Sequence, residues 1–265
     1  MTRLHEQKAG NMIGYELVGS GKSGVVVLND WMCDTSTWDG ARAFLDQERF
    51  TWAFSDLRGY GRSRGRPGSH DVKEAATDVL EVADELGWAR FSVVGHSMSA
   101  LVALHLGQQR PDRIERAVLL TPPPPTSFGA DDATLDSMRA VALGDDARRR
   151  HAMKVMWGDR LSDGWIRFKA ERWRVCSDTE AVAGYVRMFA RDGLPDPRAT
   201  VGVPVLAVTG EHDAEVMRHD AVTRLLQPLC ERLVVTPIAE SGHYPMQETP
   251  PLLVTIATRF LSAPG

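Results

Sequence analysis

Short runs of apolar, β-branched residues recur along this 265-residue chain, and stretches with helical spacing separate them. Both faces of each run are apolar, as in strands of a parallel sheet that is buried between helices. Strand and helix alternating in this way predict an α/β fold with a mostly parallel, doubly wound sheet. The predicted strands are Val25–Leu28, Thr51–Phe54, Phe91–Val94, Ala117–Leu120, Val205–Val208 and Leu233–Val235. The helix-like segments lie near 38–46, 71–86, 98–109, 215–227 and 250–262, and an antiparallel strand is expected within 11–18.

The pattern changes between about Pro125 and Pro197, where strands disappear and helical spacing takes over. A chain of this length suits one α/β domain that carries an insertion. We therefore expect a core formed by residues 1–124 and 198–265, and a helical cap formed by residues 125–197. Ligands of open α/β sheets bind at the carboxyl ends of the strands, so a cap at that edge would enclose the ligand site.

The run from Phe91 to Ala100 is a strand that breaks at a turn of small residues and continues into a helix. This is the sequence form of a nucleophile elbow, a strained turn that lifts one side chain above the sheet. Ser97 stands at that position in the motif G-H-S-M-S, and the N–H of Met98 is expected to point toward the same space. The turn would then supply a nucleophile and an oxyanion donor. The alternative is a packing turn of small residues, since Ser99 stands where glycine is usual.

Several motifs in a fixed order resemble those of the α/β-hydrolase superfamily, from about Gly14 to Leu261. They are the strand ending at Asn29-Asp30-Trp31, the turn D-L-R-G-Y-G-R-S from Asp56, the elbow, the segment G-E-H-D from Gly210, and S-G-H-Y-P from Ser241. Each motif is weak alone, and their shared order makes the resemblance specific. It implies an α/β-hydrolase fold and a Ser, Asp, His triad in that chain order, here Ser97, Asp213 and His243.

The chemistry of such a triad needs these residue types. A serine hydroxyl is a poor nucleophile until a neutral imidazole, here that of His243, takes its proton and later returns it to the leaving group. A carboxylate behind the imidazole fixes its tautomer. Asp213 is favoured for that role, although Glu211 is close enough in sequence to replace it. His96 is interpreted as a structural residue that faces away from the nucleophile.

The second oxyanion donor is expected to be the main-chain N–H of Trp31. Here the chain departs from the superfamily pattern, because Asn29 and Asp30 stand where many members carry His-Gly. A carboxylate near a developing oxyanion is unfavourable unless it points away or is paired. The favoured interpretation is that Asp30 turns outward and caps the following turn. The alternative is that it holds a polar substrate group or a catalytic water.

The insertion is rich in methionine and aromatic side chains. Most of them are expected to pack the insertion itself, and some are expected to line an apolar pocket beneath it. The predicted pocket residues are Asp30, Trp157, Trp165, Trp173 and Met188. Such a pocket favours an apolar acyl or aromatic small-molecule substrate over a sugar or a phosphate.

Composition argues against several other classes of protein. Lysine plus arginine number 31 against 35 acidic residues, so nothing indicates a nucleic acid or an anionic membrane as partner. No apolar signal segment or membrane-length stretch is evident, and a cytoplasmic location is expected. Cys33, Cys176 and Cys230 lack C-x-x-C spacing, and no two histidines have metal-ligand spacing with a carboxylate. We expect no disulfide, metal or other cofactor, and a homo-oligomer is left open.

These observations predict a serine hydrolase that cleaves a carboxylic ester or lactone through an acyl-enzyme. Cleavage of a carbon–carbon bond beside a ketone is a close relative that uses the same groups. Two alternatives remain at this point. Some cofactor-independent dioxygenases of N-heteroaromatic substrates resemble this chain and use a His–Asp pair as base. A non-catalytic ligand receptor built on the same fold would bind its ligand without turnover.

Overall fold

The computed structural model describes residues 12–157 and 160–264 of the chain. Residues 1–11, 158–159 and 265 of the predicted core and cap lie outside the described residues. The strands are β1 (Tyr15–Val18), β2 (Ser23–Leu28), β3 (Phe50–Ser55), β4 (Phe91–His96), β5 (Ile114–Leu120), β6 (Val205–Gly210) and β7 (Leu233–Ile238). They form a seven-stranded sheet in the order β1-β3-β2-β4-β5-β6-β7. Only the β1–β3 pair is antiparallel, which confirms the predicted mostly parallel sheet.

Helices cover both faces of this sheet. They are α1 (Asp39–Arg42), α2 (Val72–Glu85), α3 (Ser99–Gln109), α4 (Asp132–Ala142), α5 (Asp146–Trp157), α6 (Asp163–Val175), α7 (Thr179–Arg187), α8 (His219–Leu226), α9 (Pro245–Glu248) and α10 (Pro250–Leu261). Alternate residues of β2 face the helices on opposite sides of the sheet. Val26 belongs to the apolar cluster that contains α2 and α3, whereas Val25 and Val27 belong to the cluster that contains α10. Because both layers are apolar, each central strand must be apolar on both faces.

The strands extend further than the apolar runs that predict them. Strand β5 begins at Ile114, three residues before the predicted start at Ala117, and the added residues include the exposed Glu115. Strand β7 continues to Ile238, beyond the predicted end at Val235. The hydrophobic pattern detects the continuous apolar run of a strand and stops at interrupting residues, such as Glu115 in β5 and Thr236 in β7.

Between β5 and β6 the described chain forms α4 to α7 and adds no strand to the sheet. A π-helical turn at Met188–Asp192 follows α7 directly. This region contacts the loop after β2 at several points. The indole N–H of Trp31 donates to the Val182 carbonyl at 3.0 Å, and the Lys169 ammonium donates to Cys33 Sγ at 3.3 Å. The division into core and cap at residues 125–197 stays a prediction.

The three cysteines are buried and free. Cys33 accepts the hydrogen bond from Lys169, and the Cys176 thiol donates to the Met32 carbonyl at 2.8 Å. Among the helices of the described ranges, none has the length and apolar character that a bilayer crossing requires.

Candidate active site

The nucleophile elbow predicted around Ser97 is present as a sharp turn between β4 and α3. Ser97 has a φ of +51°, in the left-handed region that non-glycine residues rarely adopt. A Cβ at Gly95 would lie 2.3 Å from the carbonyl oxygen of Ser99, so only glycine fits there. The Ser99 hydroxyl ties the turn by donating to the His96 carbonyl at 2.9 Å. The turn therefore presents Ser97 at the carboxyl edge of the sheet.

The three residues predicted as a triad meet at this edge. Ser97 Oγ lies 2.9 Å from His243 Nε2, and His243 Nδ1 lies 2.9 Å from Asp213 Oδ2. All three side chains are buried. Of the two acids left open by the sequence, Asp213 makes the hydrogen bond to the ring, and Glu211 is exposed. The arrangement has the geometry of a nucleophile, a base and an orienting acid.

The acid and the histidine stand on two loops that approach each other closely. A Cβ at Gly210, the last residue of β6, would lie 2.2 Å from the Gly242 carbonyl oxygen. The second carboxylate oxygen of Asp213 accepts from the N–H of Ala214 at 2.7 Å. The Asp213 carboxylate is therefore fixed by two hydrogen bonds, one to a main-chain amide and one to the imidazole ring.

Glu248 fixes the loop that carries His243. Its buried carboxylate accepts from the N–H of Gly242 at 2.7 Å and from the N–H of Tyr244 at 2.9 Å, the residues on either side of His243. Arg160 pairs with the same carboxylate. The sequence reasoning missed Glu248, although an acidic residue in the first turn of a helix commonly accepts amides near its start.

Asp30 points into the site, so the expectation that it turns outward is wrong. The residue is 6% exposed, and its Oδ2 accepts from the Tyr244 hydroxyl at 3.0 Å. The same oxygen lies 3.5 Å from His243 Nε2, the nitrogen that faces Ser97 Oγ at 2.9 Å. Oδ1 accepts from the N–H of Trp31 at 2.6 Å. A second carboxylate therefore lies beside the proposed base, at the nitrogen that faces the proposed nucleophile.

A cavity of about 300 Å³ opens onto Ser97 and is enclosed mainly by apolar side chains. Besides Asp30, Ser97 and His243, its lining includes Trp31, Phe128, Met138, Met156, Trp157, Trp173, Phe189, Met217 and Tyr244. Asp30, Trp157 and Trp173 thus lie where the sequence predicts them. Phe128, Met138, Met156, Phe189 and Met217 were missed as lining residues.

Trp165 and Met188, predicted as pocket residues, do not line this cavity. Trp165 lies behind it, with its ring 5.6 Å from those of both Trp157 and Tyr244. Met188 is 1% exposed and packs in the core, while its neighbour Phe189 faces the cavity. The π-helical turn that begins at Met188 changes the residue spacing from that of an α-helix, so an α-helical pattern assigns the wrong face.

Residues 25–256 match the alpha/beta hydrolase family. The chain belongs to that family. It is 28% identical over 255 residues to the pimeloyl-[acyl-carrier protein] methyl ester esterase of Nitrosomonas europaea, covering 92% of this chain and 97% of the esterase. It is 24% identical over 281 residues to the soluble epoxide hydrolase of Corynebacterium sp. (strain C12), covering 96% of this chain and 94% of the relative.

The crystal structure of the enol-lactonase from Burkholderia xenovorans LB400 has the same fold, with a TM-score of 0.79 and 22% identity. The match covers 95% of this chain and 96% of the enol-lactonase. The relatives of this alpha/beta hydrolase are enzymes, and their names refer to different bonds. The family and the fold are therefore shown, whereas the substrate has to be argued from the site.

His96 supports His243 in this alpha/beta hydrolase. Its Nε2 lies 2.7 Å from the His243 carbonyl oxygen, which also accepts from the Thr121 hydroxyl at 3.2 Å. Burial lowers the pKa of His96 to about 4, so the ring is neutral near pH 7. These contacts agree with the structural role inferred from the sequence.

Within the part of the chain that the structure describes, Asp30, His96 and His243 place potential ligand atoms within 4.8 Å of one another. The spacing of histidines in the sequence did not indicate this cluster. Both ring nitrogens of His243 are already engaged by Asp213 and Ser97, and His96 Nε2 is engaged by a main-chain carbonyl. Hydrogen bonds inside the protein thus already use both nitrogens of His243 and one nitrogen of His96.

The Asp30 carboxylate changes the expected oxyanion hole. The N–H of Trp31 already donates to this carboxylate, and a substrate oxygen has to compete for it. Two like unit charges roughly 4 Å apart repel by about 4 kcal/mol near a protein surface, or about a thousandfold in rate. An ionised Asp30 would therefore oppose an oxyanion at this position.

The two carboxylates bracket the His243 ring and control its charge. Burial opposes a charge on the ring, but the charges of Asp213 and Asp30 and their hydrogen bonds outweigh it and raise the pKa of His243 well above its usual value. Burial likewise favours neutral Asp30, yet the hydrogen bond to His243 and the nearby imidazole charges hold the pKa of Asp30 below its usual range. Both shifts favour a proton on His243 over a proton on Asp30.

Proposed function

We propose that this alpha/beta hydrolase is a serine hydrolase that cleaves a carboxylic ester or lactone of a small apolar or aromatic substrate. The observation that carries the proposal is the continuous hydrogen-bonded series Asp213, His243, Ser97, which ends inside an apolar cavity. Such a series gives a serine hydroxyl both a proton acceptor and an orienting carboxylate.

In the proposed reaction Ser97 Oγ forms a bond to the carbonyl carbon and its proton passes to neutral His243. The carbonyl π electrons move to oxygen, which becomes the oxyanion near the N–H of Met98. The π bond re-forms, the ester oxygen leaves with the proton from His243, and an acyl-Ser97 remains. Water then attacks the acyl carbon, gives a proton to His243, and returns Ser97 as the hydroxyl together with a carboxylic acid.

The cavity supports a small apolar substrate. Its volume of about 300 Å³ is at the lower end of the range for small-molecule sites. Side chains such as Trp173, Phe189 and Met156 surround it with apolar surface. Among the relatives, an esterase and an enol-lactonase carry names that agree with acyl transfer, whereas the epoxide hydrolase is named for a different bond. These features together favour an ester or lactone.

Labelling with a serine-directed fluorophosphonate tests this function. The reagent is expected to modify Ser97, identified by peptide mass spectrometry. Ser97→Ala is expected to lower kcat for p-nitrophenyl butyrate by roughly 10⁶-fold, because it removes the nucleophile. Ser69→Ala, at an exposed serine, is the matched control and should keep both the label and the activity.

Two results would contradict the proposal. One is a folded protein that neither reacts with the fluorophosphonate nor turns over esters or lactones, as a ligand receptor would behave. The other is oxygen consumption with an N-heteroaromatic substrate that survives Ser97→Ala but not His243→Ala. That outcome would favour the cofactor-independent dioxygenase.

A further inference from the structure

The proposed mechanism leaves the Asp30 carboxylate without a role, although it lies among the reacting groups. Its two oxygens accept from the Tyr244 hydroxyl and the N–H of Trp31, and one of them is 3.5 Å from His243 Nε2. A carboxylate accepts hydrogen bonds and donates none, whereas a carboxylic acid donates one. The same side chain would therefore oppose an oxyanion when ionised and stabilise it when protonated.

A proton on each nitrogen of His243 is unsuited to attack by Ser97. With His243 doubly protonated, Nδ1–H donates to Asp213 and Nε2–H donates toward Ser97 Oγ. That ring has no free lone pair and cannot accept the serine proton. A single proton displaced from His243 Nε2 to Asp30 would correct both problems, because it leaves a neutral base and a neutral acid.

We propose that Asp30 and His243 share one proton, and that Asp30 is a catalytic residue which takes this proton when substrate fills the cavity and then donates it as a hydrogen bond to the oxyanion. The inference rests on the serine-hydrolase function proposed above. It adds a third oxyanion donor beside the amides of Met98 and Trp31, and it gives the departure from His-Gly at positions 29 and 30 a chemical purpose.

The proton transfer is balanced within the pair. The N–H bond at His243 Nε2 breaks, an O–H bond forms at Asp30 Oδ2, and the electron pair of the broken bond stays on the ring nitrogen. The ion pair becomes two neutral groups, and no other reactant is needed. Ser97 keeps its own proton until attack, when that proton goes to the vacated Nε2.

Substrate binding supplies the reason for the transfer. An apolar substrate displaces water from a cavity walled by side chains such as Trp157 and Phe189. Loss of water raises the free energy of the ionised pair more than that of the neutral pair. The population with the proton on Asp30 and a neutral His243 therefore increases. Asp213 keeps its 2.9 Å hydrogen bond to Nδ1 and holds the ring in place.

Other titratable groups face the pair from the surrounding elements. They are Asp213 after β6, His96 on β4, Tyr244 after β7, Cys33 in the loop after β2, and Lys169 on α6. The Lys169 ammonium lies 3.8 Å from the centre of the Tyr244 ring and contacts Cys33. Removing the Asp30 charge also changes the electrostatic field at Cys33, His96 and Tyr244, so the signals of His243 itself have to be followed when Asp30 is substituted.

Asp30→Asn tests the shared proton, because the amide keeps a donor and removes the exchangeable charge. For the natural protein kcat/KM is expected to be bell-shaped in pH, since the active form needs one proton on the pair. It should fall about tenfold per pH unit once that proton is lost at alkaline pH. In Asp30→Asn the alkaline fall should disappear, and the acid limb should move to higher pH, because it then reports protonation of His243 and no longer the lowered pKa of Asp30. Glu211→Gln removes a carboxylate charge from an exposed side chain and should keep the bell-shaped pH profile of kcat/KM.

A measurement without substrate separates this inference from the proposed function. Nuclear magnetic resonance of the imidazole signals, assigned with His243→Ala, should show a protonated His243 at pH 7 in the natural protein and a lower titration midpoint in Asp30→Asn. A neutral His243 at pH 7 in the natural protein, or equal midpoints in the two proteins, would overturn the shared proton. Confirmed coupling without ester or lactone turnover would instead reject the proposed function alone. Unchanged pH–rate profiles in an active Asp30→Asn would reject the catalytic role of Asp30 alone.

Discussion

The two sides of the His243 ring are built differently. On the Nδ1 side a single carboxylate, Asp213, lies 2.9 Å away and is held by the amide of Ala214. On the Nε2 side two groups share one nitrogen, Ser97 Oγ at 2.9 Å and Asp30 Oδ2 at 3.5 Å. The first side can only fix the orientation and tautomer of the ring. The second side offers two proton positions, and the chemistry depends on which one is occupied.

The largest expected effect of an orienting substitution is on the Nδ1 side. Asp213→Asn keeps the shape of the site but favours the wrong imidazole tautomer, and kcat should fall by roughly 10⁴-fold. Steady-state hydrolysis of a p-nitrophenyl ester measures it, and Glu211→Gln is the control that should leave kcat unchanged. If Asp213→Asn stayed within tenfold of the natural protein, another carboxylate would be orienting the ring, and the contrast between the two sides would fail.

The sequence predicts the Nδ1 side well, and on the Nε2 side it predicts Ser97. Ser97, Asp213 and His243 follow the ends of strands β4, β6 and β7, and parallel strands bring their carboxyl ends to one edge. Local patterns, an apolar run followed by small or polar residues, are enough to place them. The fold is predictable for the same reason, because every central strand must be apolar on both faces.

The Nε2 side depends on contacts that no local pattern contains. The direction of Asp30 is set by a loop in which Met32 has a φ of +55°, and by the hydroxyl of Tyr244, 214 residues away in sequence. The cavity lining follows the π-helical turn at Met188–Asp192, which exposes Phe189 in place of Met188. A sequence pattern predicts neither the direction of Asp30 nor the cavity lining, because both depend on backbone geometry that tertiary packing imposes.

A second prediction tests how strictly Ser97 must be held on the Nε2 side. Gly95→Ala places a methyl group against the Ser99 carbonyl, and the turn has to shift. We expect the free energy of unfolding to fall by about 3 kcal/mol, from crowding of a packed site, and kcat to fall by roughly 100-fold because the nucleophile is displaced.

Chemical denaturation and ester hydrolysis measure the two effects. Gly202→Ala is the matched control, because a Cβ there meets no atom within 4 Å and Gly202 has no positive φ. If Gly95→Ala and Gly202→Ala had equal unfolding free energies and equal kcat, the elbow would tolerate displacement of its serine.

The smallest expected effect concerns the hydroxyl that anchors Asp30. Tyr244→Phe removes its hydrogen bond to Asp30 Oδ2, worth about 1 kcal/mol for an ordinary pair. We expect kcat/KM to fall about fivefold near neutral pH, because Asp30 is less firmly placed against Ser97 and His243.

Tyr15→Phe, on β1, is the control for loss of a phenol hydroxyl away from the site. Comparison with Asp213→Asn sharpens the contrast between the sides of the ring. If kcat/KM fell as far in Tyr244→Phe as in Asp213→Asn, both sides of the His243 ring would orient it equally.

Trp31 joins the loop of Asp30 to the helical region between β5 and β6. Its amide meets the Asp30 carboxylate, its indole donates to Val182 in α7, and its ring lies 5.6 Å from that of Phe189. Exchanging these helices for those of a relative would therefore also disturb the placement of the Asp30 carboxylate beside His243. An exchange designed to reshape the cavity has to include position 31.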